Sequence, residues 1–354
     1  MQHIQTDITD EKLVFNLSVA QISFLNFKQK KNLTKKLDSP HSLALQSIEE
    51  IFKLAECESK SRAVWNGEAN LRMAEITAVQ CKRLGVKIIL YEDDLYPELL
   101  RQISDPPFLL FARGNAELLS ETCISVVGTR RLSQAGREAA RSFSKDAAFD
   151  GCNVVSGLAY GADAFAHQGA LDAFYDCAEG KVSMPARLGH TIAVMPCGID
   201  EVVPWNNKRL AAAILECGGC IISEYGPGMP AAKWQFVERN RIVAGLSMAL
   251  LVVEAPAGSG ALITADFALE NGRDVFFHQA AFGEAASRIS QTVKHNLERE
   301  FAAGRVSKFK MENTPERFVS AGAPVIKDYK DFCLALAEPP GQRSIPPVQG
   351  ELFT

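Results

Sequence analysis

Ile124-Ser-Val-Val-Gly-Thr-Arg-Arg-Leu-Ser-Gln-Ala-Gly136 is the stretch whose reading decides the fold. Its short apolar, β-branched run suits a strand buried on both faces of a parallel sheet. The run breaks at Gly128, crosses a polar turn and enters a helical pattern near Gly136. Strand, loop and helix start in that order expose backbone N–H groups and the positive end of a helix dipole, so anions, phosphates above all, are the natural ligands of such a loop. An ordinary first crossover, with Gly128 merely permitting the turn, reads the same from this stretch alone.

Downstream the pattern repeats. Strands are predicted at 124–127, 153–155, 191–195, 220–223, 249–253 and 274–277, and helices at 136–148, 163–174, 207–216 and 264–271. Alternation of this kind calls for an α/β fold, an extended Rossmann-like, doubly wound and mostly parallel sheet with helices on both faces. Its crossovers are right-handed, so the strand C-termini share one edge, and ligands bind outside that edge.

The strand ends therefore carry the functional information. They read Gly128-Thr129-Arg130, Ser156-Gly157-Leu158-Ala159-Tyr160-Gly161, Pro196-Cys197-Gly198, Glu224-Tyr225-Gly226, and Glu254-Ala255-Pro256 followed by Gly258-Ser259-Gly260. Glycine at so many strand ends suits close backbone contact with a bulky phosphate-bearing ligand, which a Cβ would hold away. Asp163 and His167, four apart, share a helix face; capping by the aspartate, with the histidine packed beneath, accounts for them without a metal. In Phe236-Val-Glu-Arg-Asn-Arg-Ile-Val-Ala-Gly-Leu-Ser247, Arg239 and Arg241 flank Asn240 among apolar neighbours, so their guanidiniums are aimed at something acidic, either phosphate or Glu224 and Glu254.

With 354 residues the chain is long enough for two domains, and a net charge of −4 gives no overall attraction to nucleic acid or to an anionic membrane. Any polyanion must be held by a local basic patch. The nine cysteines, irregularly spaced and without a signal peptide, indicate reduced thiols in a cytoplasmic protein. Cys217 and Cys220 form a lone CxxC, which reads as small buried residues before a strand. No apolar run reaches membrane-spanning length. The Ile124–Gly136 stretch lacks dinucleotide-fingerprint spacing and no acidic residue ends the second strand, so neither a nucleotide cofactor nor a resident metal is expected.

Residues 1–87 read as a small helical domain whose Lys28, Lys30, Lys31, Lys35 and Lys36 suit a solvated helix face, and 88–119 as an irregular joint. The core spans 120–310 and an extension 311–337. A proline-rich, extended tail fills 338–354.

Together, Val127-Gly-Thr-Arg-Arg131, Val155 to His167, Gly169-Ala-Leu171, Ser223-Glu-Tyr-Gly-Pro-Gly228, Arg239-Asn-Arg-Ile242 with Ala244-Gly-Leu246, and Ser259 to Thr264 with Gly272-Arg273 resemble the DNA-processing protein A family, DprA or Smf. Tyr96-Pro97, Asp105-Pro-Pro107 and Arg113-Gly-Asn115 fit the same pattern, and the resemblance covers about 91–277. It implies a non-enzymatic single-stranded DNA-binding protein that protects incoming strands and helps load the RecA recombinase in natural transformation, usually as a homodimer, with a SAM- or HhH-like helical domain in front. By similarity the DNA-binding set is Gly128, Thr129, Arg130, Arg131, Ser156, Gly157, Tyr160, Gly161, Trp205, Lys208, Arg239, Asn240, Arg241, Ser259 and Gly260. Tyr160 and Trp205 stand where the family commonly has basic residues, Gly258 also replaces a basic residue, and Phe277-His278-Gln279 replaces a proline-glycine ending. Residues from about Phe174 to Gly189 look like an insertion, and 280–305 departs from the pattern. At the end of the chain, Gln349 with Leu352 and Phe353 resembles the short peptide by which bacterial replication proteins dock on the sliding clamp. The rival reading is a Rossmann-like nucleotide hydrolase using Glu224 or Glu254 on a nucleoside monophosphate.

Overall fold

The computed structural model describes residues 10–59 and 63–338. Among these residues nine strands form one sheet: β1 (Lys87–Leu90), β2 (Leu109–Gly114), β3 (Cys123–Val127), β4 (Asn153–Ser156), β5 (Thr191–Gly198), β6 (Cys220–Tyr225), β7 (Ala249–Val252), β8 (Asp274–His278) and β9 (Val325–Ile326). The order across the sheet is β1-β2-β6-β5-β4-β3-β7-β8-β9. All pairings from β6 to β9 are parallel, and only β1–β2 and β2–β6 are antiparallel. The expected mostly parallel α/β sheet is thus present. From β3 the chain moves outward through β4, β5 and β6, then returns to place β7 against the other side of β3, pairing Ile124 with Ala249 and Val127 with Val252. The strand order reverses between β3 and β7, where an open α/β sheet leaves a crevice.

Both faces are buried. Val127, Val155, Val194 and Val252 pack in one layer with Ile242, Val243 and Leu262, beneath helices Lys233–Gly245 and Gly260–Glu270. Ile124, Val126, Val154 and Leu251 pack in the opposite layer with Ala140, Phe143 and Ala166, beneath helices Gln134–Phe149 and Ala162–Ala178. Burial on both sides is why these strands read as continuous apolar runs without alternation.

Several boundaries differ from the sequence pattern. The 88–119 stretch, irregular by its punctuation, supplies β2 and, with Lys87, most of β1, and these strands close one edge of the sheet antiparallel to β6. The 311–337 extension contributes β9 and helix Tyr329–Ala337, whose Phe332 packs edge-on against Phe143 and Phe276 at 5.4 and 4.8 Å. Helix Gly260–Glu270 starts four residues before the expected Thr264. Phe174 to Ala178 is the last turn of helix Ala162–Ala178, and only the remainder of the segment that looks inserted is a loop.

In front of the sheet, Glu11–Ala20, Phe27–Lys36, Pro40–Ala44, Ile48–Ala55 and Gly67–Leu84 are helical. The lysine run is largely spent within the protein: Lys30 donates to the Ala20 carbonyl at 2.8 Å, Lys31 pairs with Glu92, and Lys36 pairs with Glu56 at 2.7 Å. Cys217 and Cys220 are both buried, and burial pushes the Cys220 thiol up to about 12. No helix among the described residues is long and apolar enough to cross a membrane. Gln349, Leu352 and Phe353 lie outside the described residues.

Candidate functional site

The crevice where the strand order reverses holds a cleft of about 470 Å³. Gly128, Thr129, Arg130 and Arg131 after β3, Gly157 after β4, Arg239 and Asn240 on helix Lys233–Gly245, and Ser259 and Gly260 after β7 all line it. Nine of the fifteen expected DNA-binding residues therefore meet in one place. Arg130 and Arg131 are exposed, and the Arg130 guanidinium lies 5.7 Å from the centroid of the Phe236 ring. Asn240 reaches across to the Gly260 carbonyl at 3.4 Å.

The glycines do a different job from the one their positions suggest. A Cβ at Gly128 would sit 2.7 Å from the Ala162 Cβ and 2.9 Å from the Glu254 carbonyl oxygen, and one at Gly161 would sit 2.7 Å from the Arg130 Cα. They clear the protein's own backbone as the loops cross, and Gly161 also adopts φ +77°, which disfavours a side chain. Gly260 alone among the cleft glycines has nothing within 4 Å of a built Cβ.

The first helix start is likewise already occupied. Ser133 caps helix Gln134–Phe149 through Gly136 N–H at 3.0 Å. Glu254, 2 % exposed, accepts from Ser133 N–H at 2.9 Å and from the Ser133 hydroxyl. A side-chain carboxylate thus fills the anion position expected for a ligand phosphate at the 124–136 turn. The open helix end is that of Gly260–Glu270, where Ser259, Gly260 and Ala261 line the cleft. The first N–H groups of any helix have no partner within it.

Arg239 is the floor. It is buried, and its Nη1 donates to the Gly157 carbonyl at 2.6 Å and to the Val194 carbonyl. Asp163, also buried, takes the Gly157 and Ala159 N–H groups at 3.2 Å each. Gly157 is held from both sides, by its N–H through Asp163 and by its carbonyl through Arg239. Burial pushes the Asp163 carboxyl up, and Arg239 pulls it back.

His167 packs beneath, fully buried, with Nδ1 2.6 Å from Thr191 Oγ1. Thr191 spends its own proton on the Val154 carbonyl, so Nδ1 is the donor of that pair. Burial, aided by Arg239, lowers the His167 pKa to about 3. An unfolded histidine protonates near 6.5, so between those values the unfolded chain binds the extra proton and stability falls as pH falls. Lowering the pH from 7.5 to 5 should cost about 2 kcal/mol from this group. His167→Gln should flatten that part of the profile in urea unfolding at the two pH values.

Six expected residues lie elsewhere. Ser156 is buried and donates to the Val126 carbonyl at 2.7 Å, and Gly161 starts helix Ala162–Ala178. Tyr160 (43 % exposed), Trp205 (70 %) and Lys208 are exposed and are not part of the cleft lining. Asn207 ties their segments together by donating to the Leu158 carbonyl at 2.8 Å, and the Lys208 ammonium sits 5.4 Å from the Trp205 ring centroid. Arg241 points away from the cleft: its Nη2 donates to both Glu224 oxygens, at 2.8 and 2.6 Å. Of the two targets the sequence left open for Arg241, the structure selects Glu224.

Phe236, Val237 and Val243 also line the cleft and were not among the expected contacts. The signal was available: 236, 239, 240 and 243 fall on one face at helical spacing.

Residues 87–328 match the family model described as DNA recombination-mediator protein A. Protein Smf of Borreliella burgdorferi is 32% identical over 284 residues, 77% of this chain and 82% of that protein. Protein Smf of Escherichia coli is 37% identical over 56% of this chain and 50% of its own length, and DNA processing protein DprA of Streptococcus pneumoniae is 41% identical over 52% and 60%. The chain thus spans only half to three fifths of the latter two. The structure of the S. pneumoniae protein superposes with TM-score 0.62 at 26% identity, covering 92% of this chain and 97% of that one. DNA processing protein A from Helicobacter pylori, whose single-stranded DNA binding mode is described, shares the fold with TM-score 0.51 at 23% identity, covering 71% and 95%. The chain belongs to the DNA recombination-mediator protein A family.

Proposed function

We propose that the chain binds single-stranded DNA by its phosphates, without reading base sequence, and acts as a non-enzymatic mediator that protects the strand and helps load the RecA recombinase in natural transformation. The observation that carries this reading is the cleft at the β3–β7 reversal, where exposed Arg130 and Arg131, the open end of helix Gly260–Glu270 and the Phe236 ring converge. Guanidiniums and backbone N–H groups hold phosphate oxygens whatever the base, and an aromatic face accepts any base by stacking. The H. pylori relative's binding of single strands supports it as well. Both carboxylates that the hydrolase reading would use are engaged, Glu224 by Arg241 and Glu254 by Ser133, and Asp163 in the cleft is taken by the Gly157 and Ala159 N–H groups, which favours the non-enzymatic reading.

Titration of labelled single-stranded and duplex DNA across salt concentrations tests it. Single strands should bind more tightly, and log K should fall with log salt by about 0.7 for each phosphate held. Equal, weak, salt-insensitive binding of both would overturn the reading. Homodimerisation and RecA contact belong to the same proposal. So does docking on the sliding clamp through Gln349, Leu352 and Phe353: deleting the last six residues should abolish clamp pulldown while leaving DNA affinity unchanged.

A further inference from the structure

Helix Lys233–Gly245 has two working faces. Phe236, Arg239, Asn240 and Val243 look into the cleft just described, and Trp234, Gln235, Glu238 and Arg241, on the opposite side of the wheel, look into a second cleft of about 500 Å³. This second space lies between the N-terminal helices and the β6 end of the sheet. Its size falls within the range of small-ligand sites, which combine mostly apolar walls with a few convergent polar groups. Leu25, Phe27, Phe108 and Phe111 supply the apolar wall, and Trp234, 60 % exposed, stands at it edge-on to Tyr225 with ring centroids 6.1 Å apart.

The polar floor is unfinished. Arg241 is 8 % exposed, yet among the described residues only its Nη2 has hydrogen-bond acceptors, the two Glu224 oxygens. Among those residues Nη1 has no acceptor, and Nε faces the Asp105 carboxylate at 3.4 Å without a hydrogen bond. A buried guanidinium nitrogen without an acceptor is costly, and a ligand oxygen or ring nitrogen would relieve it. Asp105 and Glu238, each about half exposed, offer acceptors at the same cleft. A phosphate would meet the carboxylates of Asp105, Glu224 and Glu238, and a compact cation would meet Arg241 and Lys30. A neutral ring with acceptors and donors on one edge satisfies both sets, and its faces suit the aromatic wall.

We propose that this second cleft binds a nucleobase, with the Arg241 guanidinium donating to its acceptor edge, Asp105 and Glu238 receiving its amino or imino N–H groups, and Trp234 stacking on its face. The ring has two sources of the same chemistry. One is a free nucleoside. The other is a base of the bound strand, a case that rests on the function proposed above.

Calorimetric titration of the full chain with adenosine, guanosine, cytidine and thymidine, alone and with saturating oligo(dT), tests the site. At least one nucleoside should bind, and Trp234→Ala should weaken it about tenfold, as expected for loss of one base-stacking ring, with Trp234→Phe restoring most of the affinity. Unchanged nucleoside binding in the presence of oligo(dT) assigns the cleft to a free nucleoside. Competition by oligo(dT), relieved when abasic positions are placed along the strand, assigns it to a base of that strand. No binding of any nucleoside, together with equal oligo(dT) affinity for wild type and Trp234→Ala, overturns the proposal. That result alongside Arg130-dependent strand binding would leave the proposed function standing, whereas nucleoside binding without strand binding would remove the function and keep the site.

Discussion

Arg130→Glu should weaken binding of labelled single-stranded DNA by roughly ten- to a hundredfold, the range expected when a charge-assisted hydrogen bond to phosphate is replaced by a repelling carboxylate. Arg130 is the residue to change because it is exposed at the mouth of the cleft and stacked on Phe236, so its loss subtracts from the interface and not from the core. Unfolding temperature should accordingly stay within a degree or two of the wild type. The neutral variant Arg130→Gln should fall between the two proteins and reduce the salt slope by about 0.7, the contribution of one phosphate contact on a single strand. Fluorescence anisotropy at three or four salt concentrations reads all of this. Identical affinities and slopes for the three proteins would remove Arg130 from the interface.

Arg239→Ala should act on stability first, by about 3–5 kcal/mol, the usual cost of removing one partner from a buried charge arrangement. Its guanidinium holds the carbonyls of Gly157 and Val194 and offsets the Asp163 carboxylate, itself buried. Without it two carbonyls lose their donor and a buried acid loses its counter-charge. Adding Asp163→Asn to Arg239→Ala should recover part of the loss in urea unfolding, since the stranded charge disappears while the lost carbonyl bonds remain. Purely additive effects of the two changes would show that the acid and the arginine are not energetically coupled. Lysine is no full substitute, because Nη1 holds the two carbonyls while Nε donates to Asn240 Oδ1 at 3.3 Å, partners that a single ammonium cannot span.

The parallel centre of the sheet was readable because burial on both faces leaves mostly apolar runs without alternation in β3, β5 and β7. The antiparallel edge was not. β2 finds its partner in β6, more than a hundred residues away, and Phe111 opposite Ser223 is a pairing that no local period announces. β9, two residues long, is too short to carry a pattern. In the site, the loops were visible by their glycines, but the atoms those glycines clear belong to Ala162, Glu254 and Arg130, which only the folded chain brings close. The same holds for the two arginines flanking Asn240. Spacing suggests that both are aimed at something acidic, whereas Arg239 turns to two backbone carbonyls, and only the opposite directions of the side chains separate the floor of one cleft from the ion pair beside another.

Glu254 has a wider consequence. By seating its carboxylate at the Ser133 end of helix Gln134–Phe149, the chain carries an internal counter-ion where many folds of this shape keep a nucleotide's phosphate. At that helix end a further phosphate would meet a carboxylate already seated. Under the proposed function a strand distributes its charges along a path and is held by Arg130, Arg131 and the open helix end, in a cleft whose lining does not include Glu254.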